Sequence, residues 1–562
     1  MRLFYSVIFL LISNLIFAQS TSIPHLVEKD GCVQVYVNNK PFLLLAGELH
    51  NSSAGSACHM RPIWERLAEK NLNTVLAPVS WELVEPEEGS FDFSLVDSMI
   101  TGARDHDLKL VILWFGSWKN GKSSYVPEWV KRNPKRFPLI EESNGKFQDA
   151  LSPLGNKSLK ADICAFVKLM EHIKEIDSKE HTVIMVQVEN EMGVLGASRD
   201  FSGLANQAFE EVPSQLIKYF KKNKDDLYPA VQKAWCDNGF KTSGSWEDVF
   251  GKGDLNIGAD WKTRYPKFTD ELFMAWNYAT YVGAIAEAGK SIYPLPMFVN
   301  AWLKQPKANI PGKYPSGGPL PHVIDIWRAA APAIDFIAPD IYMVEEFDWV
   351  CQNYLQSGNL LFIPETKIDS SAIARSFYAF GRYRAIGFAP FGIEGGGLFN
   401  SAAPNDHSLQ KGYECLKNIS QIILENQAAN NIDGVFLEEG QEKNSVKVGK
   451  HEVTIQRFSP GNLFEITGGK FGIEAKLCNS AAAAIIIKQK ENEFLIAGTG
   501  DILIKVSKVN KQGKSPHTYI SIDELIFKDG KIIHHRLNGD ETAFGGPYVS
   551  EEKPKVFKIK VL

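Results

Sequence analysis

One pattern recurs along most of this chain: an apolar run, rich in β-branched residues, that ends in polar or aromatic side chains. The runs are Phe42 to Ala46, Asn73 to Trp81, Leu108 to Phe115, Val183 to Gly193, Leu295 to Trp302, Phe336 to Tyr342, Leu360 to Thr366 and Ala385 to Glu394. Stripes at helical spacing lie between them, such as Met60, Ile63, Trp64 and Leu67, or Ile163, Phe166, Met170 and Ile173. A last stripe is Leu409, Tyr413, Leu416, Ile419 and Ile423. Continuously apolar strands alternating with helices predict a parallel sheet covered on both faces. Eight of them fit an α/β fold, a (β/α)8 TIM barrel, whose functional residues gather at the C-terminal ends of the strands.

Gln34 to Asn38 and Lys40 to Leu45 form a short strand pair turned at Asn38-Asn39. After Gly193 comes an insertion of about 100 residues, far longer than an ordinary βα connection. It is partly helical, with a helix over Phe268 to Ala288 begun by Thr269. The Gly/Pro-rich stretch Pro311 to Pro321 is either a surface connection or a lid over the barrel mouth. From about residue 431 short strands with turn signals take over, among them Leu463 to Thr467 and a hairpin at Asp529-Gly530. This predicts a C-terminal all-β sandwich domain. The expected organisation is 1–18 signal peptide, 19–430 barrel and 431–562 β domain.

At 562 residues the chain exceeds one ordinary core. A net charge of -5 offers no basic footprint, so no nucleic-acid partner is expected. Arg2, the apolar run Phe4 to Phe17 and the cut site after Ala18 read as a secretory signal. The protein is expected to be exported, to the periplasm or beyond it, with no membrane span elsewhere. Seven cysteines without CxxC spacing do not describe a disulfide framework. The histidines show no zinc-ligand spacing, so neither a metal nor a cofactor is expected. No oligomeric state is assigned.

The fourth run, V-I-M-V-Q-V-E-N-E-M-G, changes chemistry abruptly. Carboxylates at the mouth of a buried strand are costly unless paired or used. By alternation, Gln187, Glu189 and Glu191 point to one side. Glu365 ends the seventh strand and would face Glu191 across the mouth. Glycoside hydrolysis needs such a pair flanking the anomeric carbon, ~5 Å apart in a retaining enzyme. Glu365 nearby would keep Glu191 protonated, so that it serves as the acid. Glu189, one layer deeper, is expected to pair with a basic or amide neighbour. The other polar or aromatic strand ends are Glu48, His50, Trp81, Trp114, Asn300, Trp302, Tyr342 and Glu394. Core packing is the competing role for Trp81 and Trp114.

Several stretches together resemble glycoside hydrolase family 35 β-galactosidases, with similarity to family 42. They are A-G-E-L-H (Ala46 to His50), V-S-W-E-L-V-E-P-E-E-G-S-F-D-F (Val79 to Phe93), V-Q-V-E-N-E-M-G (Val186 to Gly193), L-P-M-F-V-N-A-W-L (Leu295 to Leu303) and A-P-D-I-Y (Ala338 to Tyr342). The resemblance spans about residues 30 to 425, and the β tail is similar to that of one bacterial branch of the family. It implies Glu191 as general acid/base, Asn190 as the residue binding the sugar 2-OH, and Glu365 as nucleophile. It also implies a carbohydrate substrate: terminal β-D-galactose on plant-type oligo- or polysaccharides, cleaved by double displacement. Two departures, Glu82 and Asn51, stand where the family often has Asn and Tyr. They motivate a second reading, a β-glycosidase with another terminal sugar. A third, of a different class, is a barrel that binds glycans without cleaving them.

Overall fold

A computed structural model describes residues 22–395, 406–458, 480–510, 513–514, 519–542, 545–550 and 552–562. The expected signal, the Leu463 to Thr467 strand and Cys478 lie outside the described residues. Eight strands close into one parallel barrel in chain order: β1 (Leu44–Glu48), β2 (Thr74–Ser80), β3 (Lys109–Lys119), β4 (Val183–Asn190), β5 (Met297–Trp302), β6 (Phe336–Ile341), β7 (Phe362–Thr366) and β8 (Gly387–Pro390). A helix follows each: α1 (Ala57–Glu69), α2 (Ser94–Asp105), α3 (Asn156–Asp177), α4 (Phe268–Ile292), α5 (Ile324–Ala330), α6 (Phe347–Tyr354), α7 (Ala372–Arg382) and α8 (Asp406–Ala428).

Strand alternation sorts the core into two shells. Along β3, Val111, Leu113 and Phe115 fill the barrel interior, whereas Leu110, Ile112 and Trp114 pack outward against helices. The interior floor is aromatic: Phe298 of β5 stacks on Phe336 of β6 at 5.1 Å and meets Phe362 of β7 edge-on at 5.3 Å. Val35 and Val37, from the antiparallel strands that precede the barrel, join the same cluster and close its lower end. The turn between those strands is made by Asn38 and Asn39, both at positive φ, as a two-residue type I′ hairpin demands.

The insertion after β4 is helical. It ends in α4, which starts at Phe268 with Lys267 as its N-cap, not at Thr269. The Thr269 hydroxyl instead donates to the Gly251 carbonyl. Pro311 to Pro321 is neither a loose connection nor a lid. Ser316 bridges to Val194, Gly193 lies against Pro315, and Gly317 is pressed on Met274 of α4. The stretch is a buried strap, because its backbone partners lie beside it in the insertion.

Beyond α8 the chain is antiparallel β. A six-stranded sheet holds β9 (Ile432–Leu437), β12 (Ala482–Lys490), β13 (Glu493–Thr499), β15 (Tyr519–Lys528), β16 (Lys531–Arg536) and β17 (Lys555–Val561). A second sheet is built on β10 (Lys443–Val448), β11 (His451–Arg457) and β14 (Ile502–Asn510). The run A-A-A-I-I-I in β12 has no polar alternation because both of its faces are covered. Ala482, Ala484 and Ile486 face the second sheet, while Ala483, Ile485 and Ile487 join the core shared with the barrel helices. α7 packs directly on β9 and β12. A Cβ on Gly381 would meet the Asp433 carbonyl oxygen at 2.8 Å, so this contact requires glycine. Asp529 and Gly530, both at positive φ, turn β15 into β16 as expected.

Candidate active site

The site is built on the irregular end of β4. Ile184 is an extra residue against β3, where pairing steps from Leu110–Val183 to Val111–Met185. Further on, Glu189 (φ 64°) and Glu191 (φ 43°) both adopt the left-handed region, which disfavours side chains other than glycine. Neighbouring groups hold them there. The Glu191 amide donates to Asn300 Oδ1 at 2.9 Å, and its carbonyl accepts from the Gly121 amide at 3.1 Å. The consequence overturns simple alternation: Glu191 faces the barrel mouth, but Glu189 turns outward toward α3.

Glu189 does not pair with a base or an amide side chain. Its carboxyl accepts the amides of Ser117 (3.0 Å) and Trp118 (2.7 Å) and lies against the equally buried Asp162. Asp162 in turn accepts Trp114 Nε1 at 2.9 Å and the Ser117 hydroxyl at 2.6 Å. Burial first, then the Asp162 charge, pushes Glu189 well above the usual carboxyl range, while burial also raises Asp162. Two acids in contact in a dry site share a proton. Together they pin the excursion Phe115 to Trp118, through which β3 returns to pair Lys119 with Asn190.

Above this lies a cavity of about 730 Å³ at the C-terminal ends of the strands. Glu191, Asp340 of β6 and Glu365 of β7 converge in it, each with a carboxyl oxygen within 4.8 Å of the others. Asp340 and Glu365 are register neighbours, and β7 shifts register between Ile363 and Thr366, beside β8. The Tyr342 hydroxyl donates to Glu365 Oε1. Burial, then the Glu365 charge, raises Glu191 to about 7, with Lys119 opposing. Asp340 is pushed well above its usual range by burial and then by Glu365 and Glu191. These three carboxyls are also, among the described residues, the one cluster with the donor spacing of a cation site.

The remaining candidates divide. His50, Trp302 and Tyr342 line the cavity. Glu48 sits beneath it, fully buried with neither carboxyl oxygen bonded to protein. Burial, then Glu365, raises its pKa well above the carboxyl range. Asn190 is likewise buried with both amide atoms unpartnered. Such orphaned groups converging on one hollow are what a polar ligand would satisfy. Four candidates lie elsewhere. Glu394 stands behind His50, accepting its backbone amide at 2.9 Å and facing its Nδ1 at 3.1 Å. Asn300 is committed to the Glu191 amide and, at 2.8 Å, to Asp340 Oδ2. Trp81 is core, bonded to Glu85 and edge-on to Trp129. Trp114 points out of the barrel toward Asp162, because it shares the face of Leu110 and Ile112.

Sequence reasoning missed Asp340, Lys119 and Asn120, which all line the cavity. Asp340 had a signal, since it lies in β6 two residues before Tyr342 and so shares its parity. Lys119 and Asn120 had none, because the excursion before them hides their register. Of the two family departures, Asn51 lines the cavity, whereas Glu82 is at the surface with Lys131, 3.1 Å away.

Residues 34–276, which include Glu191 but not Glu365, match the family model of glycosyl hydrolases family 35. Residues 409–546 match a domain of unknown function, DUF5597. No curated protein matches the chain. Among solved structures, the chain is similar to the β-galactosidase of the psychrophilic Marinomonas ef1, at 11% identity and TM-score 0.45 over 69% of this chain and 62% of that one. It is also similar to a β-galactosidase from the Antarctic haloarchaeon Halorubrum lacusprofundi, at 12% identity and TM-score 0.43 over 67% and 58%. The catalytic domain of a β-amylase from Paenibacillus polymyxa gives 13% and 0.42 over 62% and 91%. At such values these likenesses say nothing about substrate. The chain spans 62% of the length of the Marinomonas protein.

Proposed function

We propose that this protein is a family 35 retaining exo-β-galactosidase, removing terminal β-D-galactose from plant-type oligo- or polysaccharides. The observation that carries the reading is the meeting of Glu191 and Glu365 in one cavity, with carboxyl oxygens within 4.8 Å. A retaining enzyme holds its two carboxyls about 5 Å apart, because one must reach the anomeric carbon while the other reaches the leaving oxygen.

Protonation divides the roles. Glu191, raised to about 7, carries its proton at mildly acidic pH and donates it to the leaving oxygen. Glu365, oriented by the Tyr342 hydroxyl, attacks the anomeric carbon and forms a glycosyl ester. Esterification removes the Glu365 charge that helped to raise Glu191. Glu191 then ionises more readily and takes a proton from the water that releases the sugar. Trp302 offers an aromatic wall for a sugar face, and Glu48 with Asn190 offers donors and acceptors beneath the ring.

A second reading, a retaining β-glycosidase with another terminal sugar, is favoured by Asn51, Lys119 and Asn120 in the lining. One experiment tests both: a panel of nitrophenyl β-glycosides followed by NMR. The β-galactoside is expected to turn over fastest and to release the β-anomer first. Faster turnover of another sugar selects the second reading, and first release of the α-anomer ends the retaining mechanism. We also infer export, from the sequence of Met1 to Ala18. Among the described residues no helix is long and apolar enough to cross a membrane.

A further inference from the structure

Lys119 is a buried cation with no acid in contact. It is 6% exposed, and it lines the cavity. Among the described residues no hydrogen bond or ion pair joins its ammonium to protein; the Phe115 ring lies 5.0 Å away. Burying an ammonium is expensive, and proteins normally compensate it with a carboxylate in contact. Here the acids stand off. Glu48, Glu191, Asp340 and Glu365 surround the same hollow, and Lys119 acts on Glu48 and Glu191 through space. His50 and Lys367 are the other titratable groups of the lining.

The placement is built into the fold. The Glu189–Asp162 pair holds Ser117 and Trp118. The Lys119 and Asn120 amides then donate to the Lys122 and Asn190 carbonyls at 2.8 and 3.2 Å. Next to it, Asn120 Oδ1, Asn51 Oδ1 and the whole Asn190 amide lack protein partners. An ammonium with three free donors, beside unpartnered amides and in the same cavity as Glu365, suits a ligand rich in acceptor oxygens.

We propose that Lys119 is a sugar-binding residue of this site: its ammonium donates to hydroxyl oxygens of the terminal sugar held over Glu365 and so sets which sugar is accepted. The proposal rests on the glycosidase reading. The ligand is a neutral sugar and not a uronate, because three carboxyl groups, Glu191, Asp340 and Glu365, converge in the cavity and disfavour another anion.

The test uses the full chain, the preferred aryl glycoside and its monodeoxy analogues, with wild type, Lys119→Met and Lys119→Arg. Lys119→Met is expected to lower kcat/KM about 10- to 150-fold, the span of a hydrogen bond to a charged group. Removing the contacted hydroxyl should cost wild type a similar factor and cost Lys119→Met little further. The alkaline limb of kcat/KM should move to higher pH in Lys119→Met, since the cation that favours ionised Glu191 is gone, and should stay in place in Lys119→Arg. If every deoxy position costs wild type and Lys119→Met the same factor, the proposal is overturned. Should Lys119→Met fail to fold, Lys119→Arg decides: an unchanged deoxy profile overturns the contact, and a changed one supports it. Absence of turnover by wild type on the whole panel strikes the glycosidase reading instead.

Discussion

Carboxyl groups in two parts of this molecule behave in opposite ways. In the C-terminal sheet, Glu493 of β13 lies 2.9 Å from Lys558 and 3.4 Å from Lys560 of the neighbouring β17, and its pKa is lowered, chiefly by the Lys558 hydrogen bond. Asp523 and Glu524 on β15 are likewise matched with Arg536 and Lys555. At the barrel mouth, Glu48, Glu191 and Asp340 face other acids, and all three are raised. The sheet distributes charge for solubility and register. The mouth concentrates like charges in a dry hollow, which opposes stability and is where reactive protonation states arise. The barrel floor makes a second contrast, since it is filled by the packed rings of Phe298, Phe336 and Phe362.

The contrast can be broken by kinetics, by pH dependence and by stability. The largest effect is expected from Glu365→Ala, which should lower kcat by about 10⁴-fold or more, the scale on which loss of a nucleophile acts. Added azide should then release the opposite anomer, and near-normal kcat in that variant would end the assignment. Next, Glu191→Gln should cost about 10²–10⁴-fold on substrates with poor leaving groups and far less on activated aryl glycosides. In wild type, kcat/KM should fall as pH rises through about 7, where Glu191 loses its proton; a limb below pH 5 would contradict the raised acid.

Stability separates the regions further. Phe298→Ala is expected to destabilise the fold by about 3–5 kcal/mol in chemical denaturation, as removal of a buried aromatic does. The smallest effects carry opposite signs. Folding raises Glu191 from 4.5 to about 7, so the stability it contributes is present below pH 4.5 and lost as pH rises to 7. Glu191→Gln should therefore gain on wild type over that window, by about 3 kcal/mol at most. Folding lowers Glu493, so its contribution is present at neutral pH and lost in acid. Glu493→Gln should cost under about 1 kcal/mol at pH 7 and nothing once the carboxyl is protonated. Parallel pH dependence of the two variants would erase the contrast.

The placement of candidates in sequence and structure shows which signals travel. Trp302 ends β5 and Tyr342 follows β6, both in the inward parity of their strands, and the cavity receives both. The same parity assigns Trp114 to the outward face with Leu110 and Ile112, so its position was legible although its polar strand end suggested otherwise. Glu189 was not legible. Its inward place by alternation is cancelled by left-handed backbone at Glu189 and Glu191, which depends on Asn300 and on Asn120-Gly121 from two other strands. Pro311 to Pro321 has the composition of a surface loop, yet it is buried by an insertion whose packing no local pattern reveals.

By itself the sequence determined the eightfold alternation of strand and helix, the β tail, the hairpin turns at Asn38-Asn39 and Asp529-Gly530, and Glu191 and Glu365 as the acids to watch. These follow from periodicity and local conformational preference, which act over a few residues. The tertiary structure alone decided that Asp340 joins the pair, that Lys119 enters the cavity without a partner, and that Glu189 turns to Asp162. Those outcomes depend on strand register, on irregularities in β4 and β7, and on electrostatics among residues distant in the chain, where position is set only when the barrel closes.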